Sequence, residues 1–302
     1  MTQKFTSLIE FLDQFKDDED CREYLKQLRW KGVPECPHCK STKIYEYQSR
    51  PVYKCVECKR QFRVTTGTIF ESSNLPIRKW FLAMYLLSSN KKGISSLQLA
   101  RELKITQKSA WYLAHKIREM LNNKAVLKKL RGVVEVDETY VGGKRRGSKR
   151  GRGAEHKTPV FGMLERNGTL RIMPVGKVNG KTLKGLICGN VVRGSTIMSD
   201  EFRAYNGLNK FYIHKVVQHG IKEYVNGDAH VNSLEGAWSL LKRSIRGIYH
   251  RPSRKYLDNY CGEFEFKYNT RKKCIEVRFT ELLKCSKIRV KNIDITGYFP
   301  DT

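Results

Sequence analysis

Four of the nine cysteines occur as two C-x-x-C pairs, and this spacing predicts a metal centre. Cys36 and Cys39 form the first pair, Cys55 and Cys58 form the second, and residues 40–54 lie between them. Two thiolates at that spacing bind one side of a tetrahedral Zn²⁺, and the second pair completes the coordination. Because four protein ligands leave no open position, we expect this zinc to be structural. Disulfides and unrelated thiols are the alternatives.

Three carboxylates in the second half of the chain have the residue types that divalent-metal chemistry on phosphates requires. Asp137 lies within the strand-like stretch 133–141, Asp200 ends the strand-like stretch 196–200, and Glu235 lies at the start of an amphipathic helix. Mg²⁺ and Mn²⁺ prefer oxygen ligands, and paired ions activate an attacking oxygen and stabilise the leaving one. Taken singly, each acid is more often a solvated or capping residue. Their order of strand, strand and helix in one basic chain favours a shared site.

The helix predicted over 233–245 adds a cation to this set. Its apolar residues recur at helical spacing, and Glu235, Ser239 and Lys242 form a polar stripe beside them. A lysine close to these acids suits a phosphate of DNA. We therefore include Lys242 among the candidate catalytic residues.

The charge of the chain indicates a polyanionic partner. The sequence has 58 Lys and Arg residues against 30 Asp and Glu residues, a net charge of +28, which predicts DNA binding that weakens with salt. A glycine-spaced basic run over 144–153 is interpreted as a flexible arm that orders on phosphates, with a solvated loop as the alternative. The cations of this candidate nucleic-acid-binding arm are Lys144, Arg145, Arg146, Lys149, Arg150 and Arg152.

The remaining composition bears on the compartment. The longest apolar run, residues 80–87, is too short to span a bilayer, and the polar, partly acidic residues 1–21 are unlike a secretion signal. The other five cysteines are scattered singly, which fits a reducing compartment. We expect the cytoplasm or nucleoid of a bacterium, or the nucleus of a eukaryote, with neither secretion nor a membrane partner.

The N-terminal elements present the cysteines and a second module. Helical spacing predicts one or two helices over 5–30, and short hairpin strands surround the cysteine pairs. Residues 76–121 are helical in pattern, and a helix, a short turn and a second helix over 94–113 resemble a helix-turn-helix. The second helix of such a motif enters the major groove of DNA, although any helical hairpin has a similar pattern.

The second half reads as a mixed α/β domain that positions the acids. Asn167-Gly168 is a strong hairpin signal between two of its strands. The predicted strands are 133–141, 160–164, 170–175, 196–200 and 212–217. The predicted helices are 182–189, 233–245 and 253–272.

Several motifs together resemble one known family. They are the segment 21–30, the cysteine pairs, 66–70, 136–144, Ser199-Asp200, and the block 230–243 with Glu235 and Trp238. These residues resemble the zinc-ribbon insertion-sequence transposases of the DDE superfamily, the ISXO2-like group with eukaryotic Merlin relatives. The resemblance covers most of the chain.

The resemblance implies a ribonuclease H-like catalytic core with a mixed five-stranded sheet. It also implies that Asp137, Asp200 and Glu235 bind the catalytic Mg²⁺ or Mn²⁺. Some relatives have Asn in place of the third acid, so Asn232 is the alternative third position. The predicted organisation is an N-terminal helical segment (1–31), a zinc ribbon (32–70), a helix-turn-helix region (74–125), the catalytic domain (131–275) and a C-terminal tail (276–302).

The implied function is DNA transposition. The N-terminal modules would bind terminal inverted repeats, the acids would support strand cleavage and strand transfer, and the protein would act as a homo-oligomer on double-stranded DNA. A domesticated DNA-binding regulator without catalysis and a nuclease of the same fold are the alternatives.

Overall fold

The computed structural model describes residues 5–122, 128–142, 157–217, 232–290 and 295. The chain divides into two compact units. One contains Met1–Leu121 together with Lys272–Thr302, and the other contains Asn122–Arg271. Across the part of the chain that the structure describes, no helix combines the length and the apolarity needed to cross a membrane.

Two capped helices open the first unit, α1 (Leu8–Gln14) and α2 (Asp18–Trp30). The hydroxyl of Ser7 accepts the backbone N–H of Glu10, and the Glu10 carboxylate accepts the backbone N–H of Ser7, which is a capping box. The carboxylate of Asp17 accepts two N–H groups in the first turn of α2. Local hydrogen bonds thus fix both helix starts, as the sequence predicted for 5–30.

The cysteine-containing module follows as a three-stranded antiparallel sheet. Its strands are β1 (Ile44–Glu46), β2 (Tyr53–Cys55) and β3 (Gln61–Phe62), in the order β1-β2-β3. Trp30, the last residue of α2, packs edge-on against one aromatic ring from β2 and one from β3. This small core is short of apolar residues, so a bound metal would contribute much of its stability.

Three further helices give the arrangement expected for a helix-turn-helix. They are α3 (Ile77–Ser89), α4 (Ser96–Leu103) and α5 (Gln107–Asn122). The hydroxyl of Ser95 caps α4, and Lys104 ends it in the left-handed conformation (φ 49°). Only three residues, 104–106, join α4 to α5. The role of this motif in DNA binding stays a prediction.

The C-terminal segment differs from the expected tail over 276–302. It contains α9 (Ile275–Lys284), and the compact unit formed by residues 1–121 includes it. The ring of Phe279 is fully buried there among other aromatic rings. Its ring partners are Phe5, Phe11, Phe15, Tyr24 and Phe81. Burial of this ring accounts for the position of a helix that local periodicity did not reveal.

The second unit contains the mixed five-stranded sheet that the sequence predicted. The strand order is β6-β5-β4-β7-β8; β4, β5 and β6 are antiparallel, and β4, β7 and β8 are parallel. This arrangement of a three-stranded meander followed by two parallel strands is the ribonuclease H-like topology. The strands are β4 (Val133–Val141), β5 (Thr158–Glu165), β6 (Leu170–Pro174), β7 (Thr196–Asp200) and β8 (Ile213–Val217).

Helices cover both faces of the sheet in three layers. On one face, α6 (Gly180–Asn190) packs against Val134, Val136 and neighbouring apolar residues. On the other face, α7 (Asn232–Ser244) and α8 (Leu257–Thr270) pack against a second apolar cluster that includes Val141. Because side chains alternate along a strand, the odd-numbered residues of β4 face α7. This alternation places Asp137 on the α7 side.

Candidate active site and metal centre

The four paired cysteines converge as the sequence predicted. The sulfurs of Cys36 and Cys58 are 3.7 Å apart, those of Cys39 and Cys55 are 3.5 Å apart, and all four lie within 4.8 Å of one another. Sulfurs bound at about 2.3 Å around one tetrahedral Zn²⁺ are about 3.8 Å apart. The four side chains therefore fit a structural zinc ion, and the three-stranded module is a zinc ribbon.

The backbone around the cysteines supports the same conclusion. Lys40 and Lys59 each follow the second cysteine of a pair, and both adopt a positive φ, 65° and 61°. The Cys58 backbone nitrogen lies 3.5 Å from the Cys55 sulfur and donates to it. That hydrogen bond is the largest of several contacts that lower the pKa of Cys55, whereas the pKa of its neighbour Cys39 is raised. Sharing of protons among the four thiols in this way is what a metal ion would replace.

The strand register directs two of the predicted catalytic acids to the same region of the sheet. Strands β4 and β7 are parallel, and their last paired residues are Glu135 and Met198. Asp137 and Asp200 lie two residues further along each strand, so the register continued by two residues puts both on the same face at the same level. After burial and the charge of Glu138, the negative charge of Asp200 is a further cause that raises the pKa of Asp137. The sequence placed both acids on strands, and the topology makes those strands neighbours.

Helix α7 is attached to β4 by two hydrogen bonds from its own residues. The backbone N–H of Leu234 donates to Glu135 Oε2 at 3.0 Å, and Trp238 Nε1 donates to Asp137 Oδ2 at 2.9 Å. Four helical residues advance about 6 Å and two strand residues about 6.6 Å, so the helix and strand run alongside in the same direction. Glu235 falls between these two attachment points.

A glycine in the neighbouring strand makes room for the tryptophan. Gly162 on β5 is the cross-strand partner of Asp137. A Cβ at this position would lie 2.5 Å from two ring atoms of Trp238, closer than any tolerated contact. The indole therefore lies over the space that a side chain would otherwise fill. The sequence analysis missed both Gly162 and the hydrogen bond from Trp238, because neither position is near Asp137 in the chain.

The environment of Asp137 opposes its ionisation. Burial is the main cause and the neighbouring charge of Glu138 is the second, and together they raise the pKa of Asp137 to about 7. The Trp238 hydrogen bond acts in the opposite direction. A carboxylate in this state gains from a nearby cation, and oxygen donors are the ligands that Mg²⁺ and Mn²⁺ prefer.

Glu235 and Lys242 lie on the same helix but in different surroundings. Glu235 is exposed, and Lys242 is half-buried. Burial and the charge of Arg246 lower the pKa of Lys242, whereas the charges of Asp137 and Glu235 raise it. Lys242 is therefore within electrostatic range of both acids. Among the described residues, the oxygens of Asp137, Asp200 and Glu235 are not gathered as closely as the cysteine sulfurs.

Two other acids on β4 already have defined partners. Glu135 is fully buried, accepts the α7 backbone and pairs with Arg166 Nε at 3.1 Å. Glu138 points to the opposite face, where the hydroxyl of Tyr205 donates to it at 2.8 Å. Glu135 thus anchors the start of α7. The sequence does indicate that Glu135 lies near the site, because Glu135 is two residues before Asp137 and both side chains therefore lie on one face of β4.

Only the beginning of the second helix in the helix-turn-helix is accessible. Gln107 and Lys108 are exposed, whereas most residues from Ala110 onward are buried. In such motifs the N-terminal residues of the second helix contact base edges. The accessible part therefore corresponds to the part that would reach DNA.

Some predicted residues lie outside the described part of the chain. These are the basic arm with Lys144, Arg145, Arg146, Lys149, Arg150 and Arg152. Asn232, the alternative third ligand, is described as the exposed first residue of α7.

Comparison with known proteins gives the family. The ISXO2-like transposase domain matches residues 129–269, and the transposase zinc-ribbon domain matches residues 16–61. A Halobacterium salinarum protein named "Uncharacterized protein in transposable element ISH50" is 32% identical over 276 residues, which cover 84% of this chain and 91% of that protein. The chain belongs to the ISXO2-like transposases. The matched ranges include the four paired cysteines and all five strands of the sheet domain of this DDE transposase.

Two solved structures share low overall similarity with this transposase. One is the intasome of simian T-cell lymphotropic virus in complex with PP2A regulatory subunit B56 gamma, with a TM-score of 0.28 and 12% identity over 55% of this chain and 63% of that chain. The other is the Mos1 strand transfer complex, with a TM-score of 0.26 and 13% identity over 70% of this chain and 79% of that chain.

Proposed function

We propose that this ISXO2-like transposase binds the ends of its mobile element, cleaves a DNA strand at each end and transfers the freed ends to target DNA. The observation that carries the proposal is the register of β4 and β7, which, continued by two residues, puts Asp137 level with Asp200. Helix α7 donates a hydrogen bond to Asp137 through Trp238 and also contains Glu235 and Lys242. The reaction would be phosphoryl transfer, because this combination of acids and a lysine suits a phosphodiester.

The chemistry requires two successive displacements at phosphorus. In the first, a water oxygen forms a bond to phosphorus and the P–O3′ bond breaks, which leaves a 3′-hydroxyl and a 5′-phosphate. In the second, that 3′-hydroxyl attacks a phosphorus of the target strand and displaces another 3′ oxygen. No covalent intermediate with the protein forms in either displacement.

The side chains of this site would have separate roles. Asp137, Asp200 and Glu235 would hold Mg²⁺ or Mn²⁺, which when bound supplies Lewis-acid activation and neutralises charge on the phosphate. Trp238 holds one oxygen of Asp137 in place through its N–H group. Lys242 would contact a phosphate oxygen of the DNA.

The modules of the first unit would recognise the DNA. The zinc ribbon and the exposed first turn of α5 are the candidates for contacts with the inverted repeats, and the basic arm, which belongs to the second unit, would contact phosphates. Two such ends must be joined in one reaction, so we expect a homo-oligomer to assemble on the DNA. A cellular location with access to the chromosome follows, either nucleoid or nucleus.

The test is strand cleavage of DNA that carries the genomic flanks of the coding region, in the presence of Mg²⁺. Asp137→Asn and Asp200→Asn should abolish cleavage while DNA binding persists. Glu201→Gln is the matched control, because Glu201 is an exposed acid beside Asp200 and its loss should leave cleavage intact.

The same assay separates the alternatives. Binding of the flanks by the wild-type protein without any cleavage would favour a domesticated DNA-binding regulator. Equal cleavage of DNA with and without the flanks would favour a nuclease. Normal cleavage by both acid variants would refute the proposed site.

A further inference from the structure

A basic cleft lies within the sheet unit. Lys242 of α7 lines it, whereas Glu235 of the same helix does not. Its volume is about 750 Å³, and its walls come from the end of β4, the start of β5 and the segment that follows α7. Its cationic lining residues are Lys157, Lys242, Arg246, Arg251 and Arg254, and His250 also lines it. We refer to this feature as the basic cleft.

No acidic side chain among the described lining residues neutralises the cations of the basic cleft. Among the described residues that line it, none is Asp or Glu. The side chains of Arg246, Arg251 and Arg254 are exposed, and none of them makes an ion pair with a described residue. Cations that converge without acids repel one another, so the cleft as built favours an anionic ligand.

The backbone after α7 is shaped so that these cations converge. The helix widens into a single π-helical turn over Ile245–Tyr249, and His250 then adopts a positive φ of 58°. A π turn changes the direction in which side chains project, and such turns are frequent at functional sites. A short 3-10 turn brings Arg254 back towards the cleft. The segment would be costly to maintain without a use for this geometry.

The floor of the cleft is firm. Val141, Ile245 and Leu257 line it, and all three are buried members of the apolar cluster between the sheet and α7. A small anion is usually held by buried hydrogen-bond donors, which this cleft does not present in its cationic side chains. Several exposed cations above a packed floor suit a ligand that carries several phosphates. The ligand implied is thus an extended polyanion.

We propose that the basic cleft binds the phosphodiester backbone of a DNA strand that continues past the acid site. Lys242 lines the cleft and shares α7 with Glu235 and with Trp238, which donates a hydrogen bond to Asp137, so a strand in the cleft would pass the helix that borders the acid site. The proposal rests on the proposed function for the reaction that the strand undergoes. It assigns DNA contacts to Arg246, Arg251 and Arg254, which lie outside the predicted basic arm.

The experiment measures how DNA affinity depends on salt for the full-length, zinc-loaded protein. Arg251→Ala/Arg254→Ala is compared with Lys181→Ala/Lys210→Ala, which removes the same charge from exposed residues on α6 and beyond. Both pairs are built in the Asp137→Asn background and assayed without added Mg²⁺, so that binding is separated from cleavage. Thermal unfolding confirms that each variant is folded.

Log affinity falls as log salt rises, and each lost phosphate contact makes that negative slope shallower by about 0.9. We therefore expect the slope of the cleft pair to be shallower by about 1.8, and the slope of the control pair to be unchanged. An unchanged slope in the cleft pair, or an equal decrease in both pairs, would overturn the proposal. Because catalysis is not needed here, a slope change would stand even if the wild-type protein proved unable to cleave DNA.

Two DNA probes distinguish which strand the cleft holds. One is a duplex from the genomic flank of the coding region, and the other is an unrelated duplex of equal length and base composition. A slope change on the flank duplex alone assigns the cleft to the element end, and a change on both assigns it to any DNA backbone, including the target. A second measurement uses DNA in which neutral methylphosphonate linkages replace phosphates. This replacement should weaken DNA binding by the parent Asp137→Asn protein more than DNA binding by the cleft pair. Equal weakening for both proteins would count against the cleft.

Discussion

A carboxylate that is buried beside other carboxylates is costly to ionise, and Asp137 is in that position. Its neighbours Glu138 and Asp200 both disfavour the charged form, and the Trp238 hydrogen bond offsets only part of the effect. The protein retains the acid at this cost, which is understandable if a divalent cation relieves it. Function and stability therefore oppose each other at this residue.

Replacement of Asp137 by Asn should stabilise the sheet unit at alkaline pH. The folded pKa is about 7 against an ordinary value of 3.8, so the folded state binds the proton more tightly than the unfolded state. The penalty is absent below pH 4, grows as the pH rises through this window and is complete above pH 7. At about 1.4 kcal/mol per unit, it reaches at most about 4 kcal/mol.

Thermal unfolding without added Mg²⁺ measures this effect. The melting temperature of Asp137→Asn should exceed that of the wild type by several degrees at pH 8, and the difference should shrink at pH 5. A difference that is the same at both pH values would show that ionisation is not its cause.

The indole of Trp238 should act as a positioning group for Asp137. Trp238→Phe keeps most of the ring that fills the space above Gly162 but removes the N–H donor. Without that donor the pKa of Asp137 should rise further, because a hydrogen bond to the charged form favours it. The expected result is a cleavage rate about tenfold lower at pH 7, with the acidic limb of the pH–rate profile displaced to higher pH. A slower enzyme with an unchanged profile would indicate a merely structural role.

Among the elements, the zinc ribbon is the one whose folding should depend on a single ligand set. Its core has few apolar side chains besides Trp30, Tyr53 and Phe62, so metal binding must supply much of its stability. Cys36→Ser should lose the zinc ion and the order of the ribbon. Cys274→Ser, at an exposed cysteine outside the pairs, should lose neither.

Metal analysis and limited proteolysis report the two outcomes. The wild type and Cys274→Ser should contain one zinc per chain and resist cleavage within residues 32–70. Full zinc content in Cys36→Ser, or zinc-free wild-type protein with a protected ribbon, would contradict the assignment.

The elements also show how far the sequence leads. The alternation of side chains along β4, the Asn167-Gly168 turn and the helical spacing over 233–245 predicted the strands, a hairpin and α7, because these patterns are local. The position of α9 was not predictable in this way. Phe279 joins rings from the first 81 residues, and a contact at that separation leaves no periodic trace in the chain.

The residues of the site also divide into those that local sequence patterns reveal and those that only long-range contacts reveal. The two aspartates could be recognised because each is an acid on a predicted strand. Gly162 and Trp238 could not be connected with Asp137, because their roles arise from cross-strand pairing and helix packing over separations of 25 and 101 residues. Glu135 was similarly overlooked, since its importance lies in the backbone of a distant helix.

Across the whole molecule, the net charge of +28 should make DNA binding strongly dependent on salt. Deletion of the basic arm over 144–153 should weaken binding to all sequences about equally, because phosphate contacts carry no sequence information. Binding titrations on flank and unrelated duplexes at several salt concentrations test this. If the deletion altered preference for the element ends but left the salt slope intact, the arm would be a reader of bases.

The proposed function depends on which residue completes the acid site with Asp137 and Asp200. Glu235 falls between the two points at which α7 is attached to β4, whereas Asn232 lies about 4.5 Å further back along the helix axis. A carboxylate also carries the charge that Mg²⁺ prefers, and an amide oxygen does not. These observations support Glu235 as the third ligand.

Single-turnover cleavage of an element end by Glu235→Gln and Asn232→Ala tests this claim most directly. With Mg²⁺ present, Glu235→Gln should bind the DNA but fail to cleave it, and Asn232→Ala should cleave at close to the wild-type rate. Normal cleavage by Glu235→Gln together with an inactive Asn232→Ala would show that the third ligand is Asn232 and that Glu235 is a surface acid.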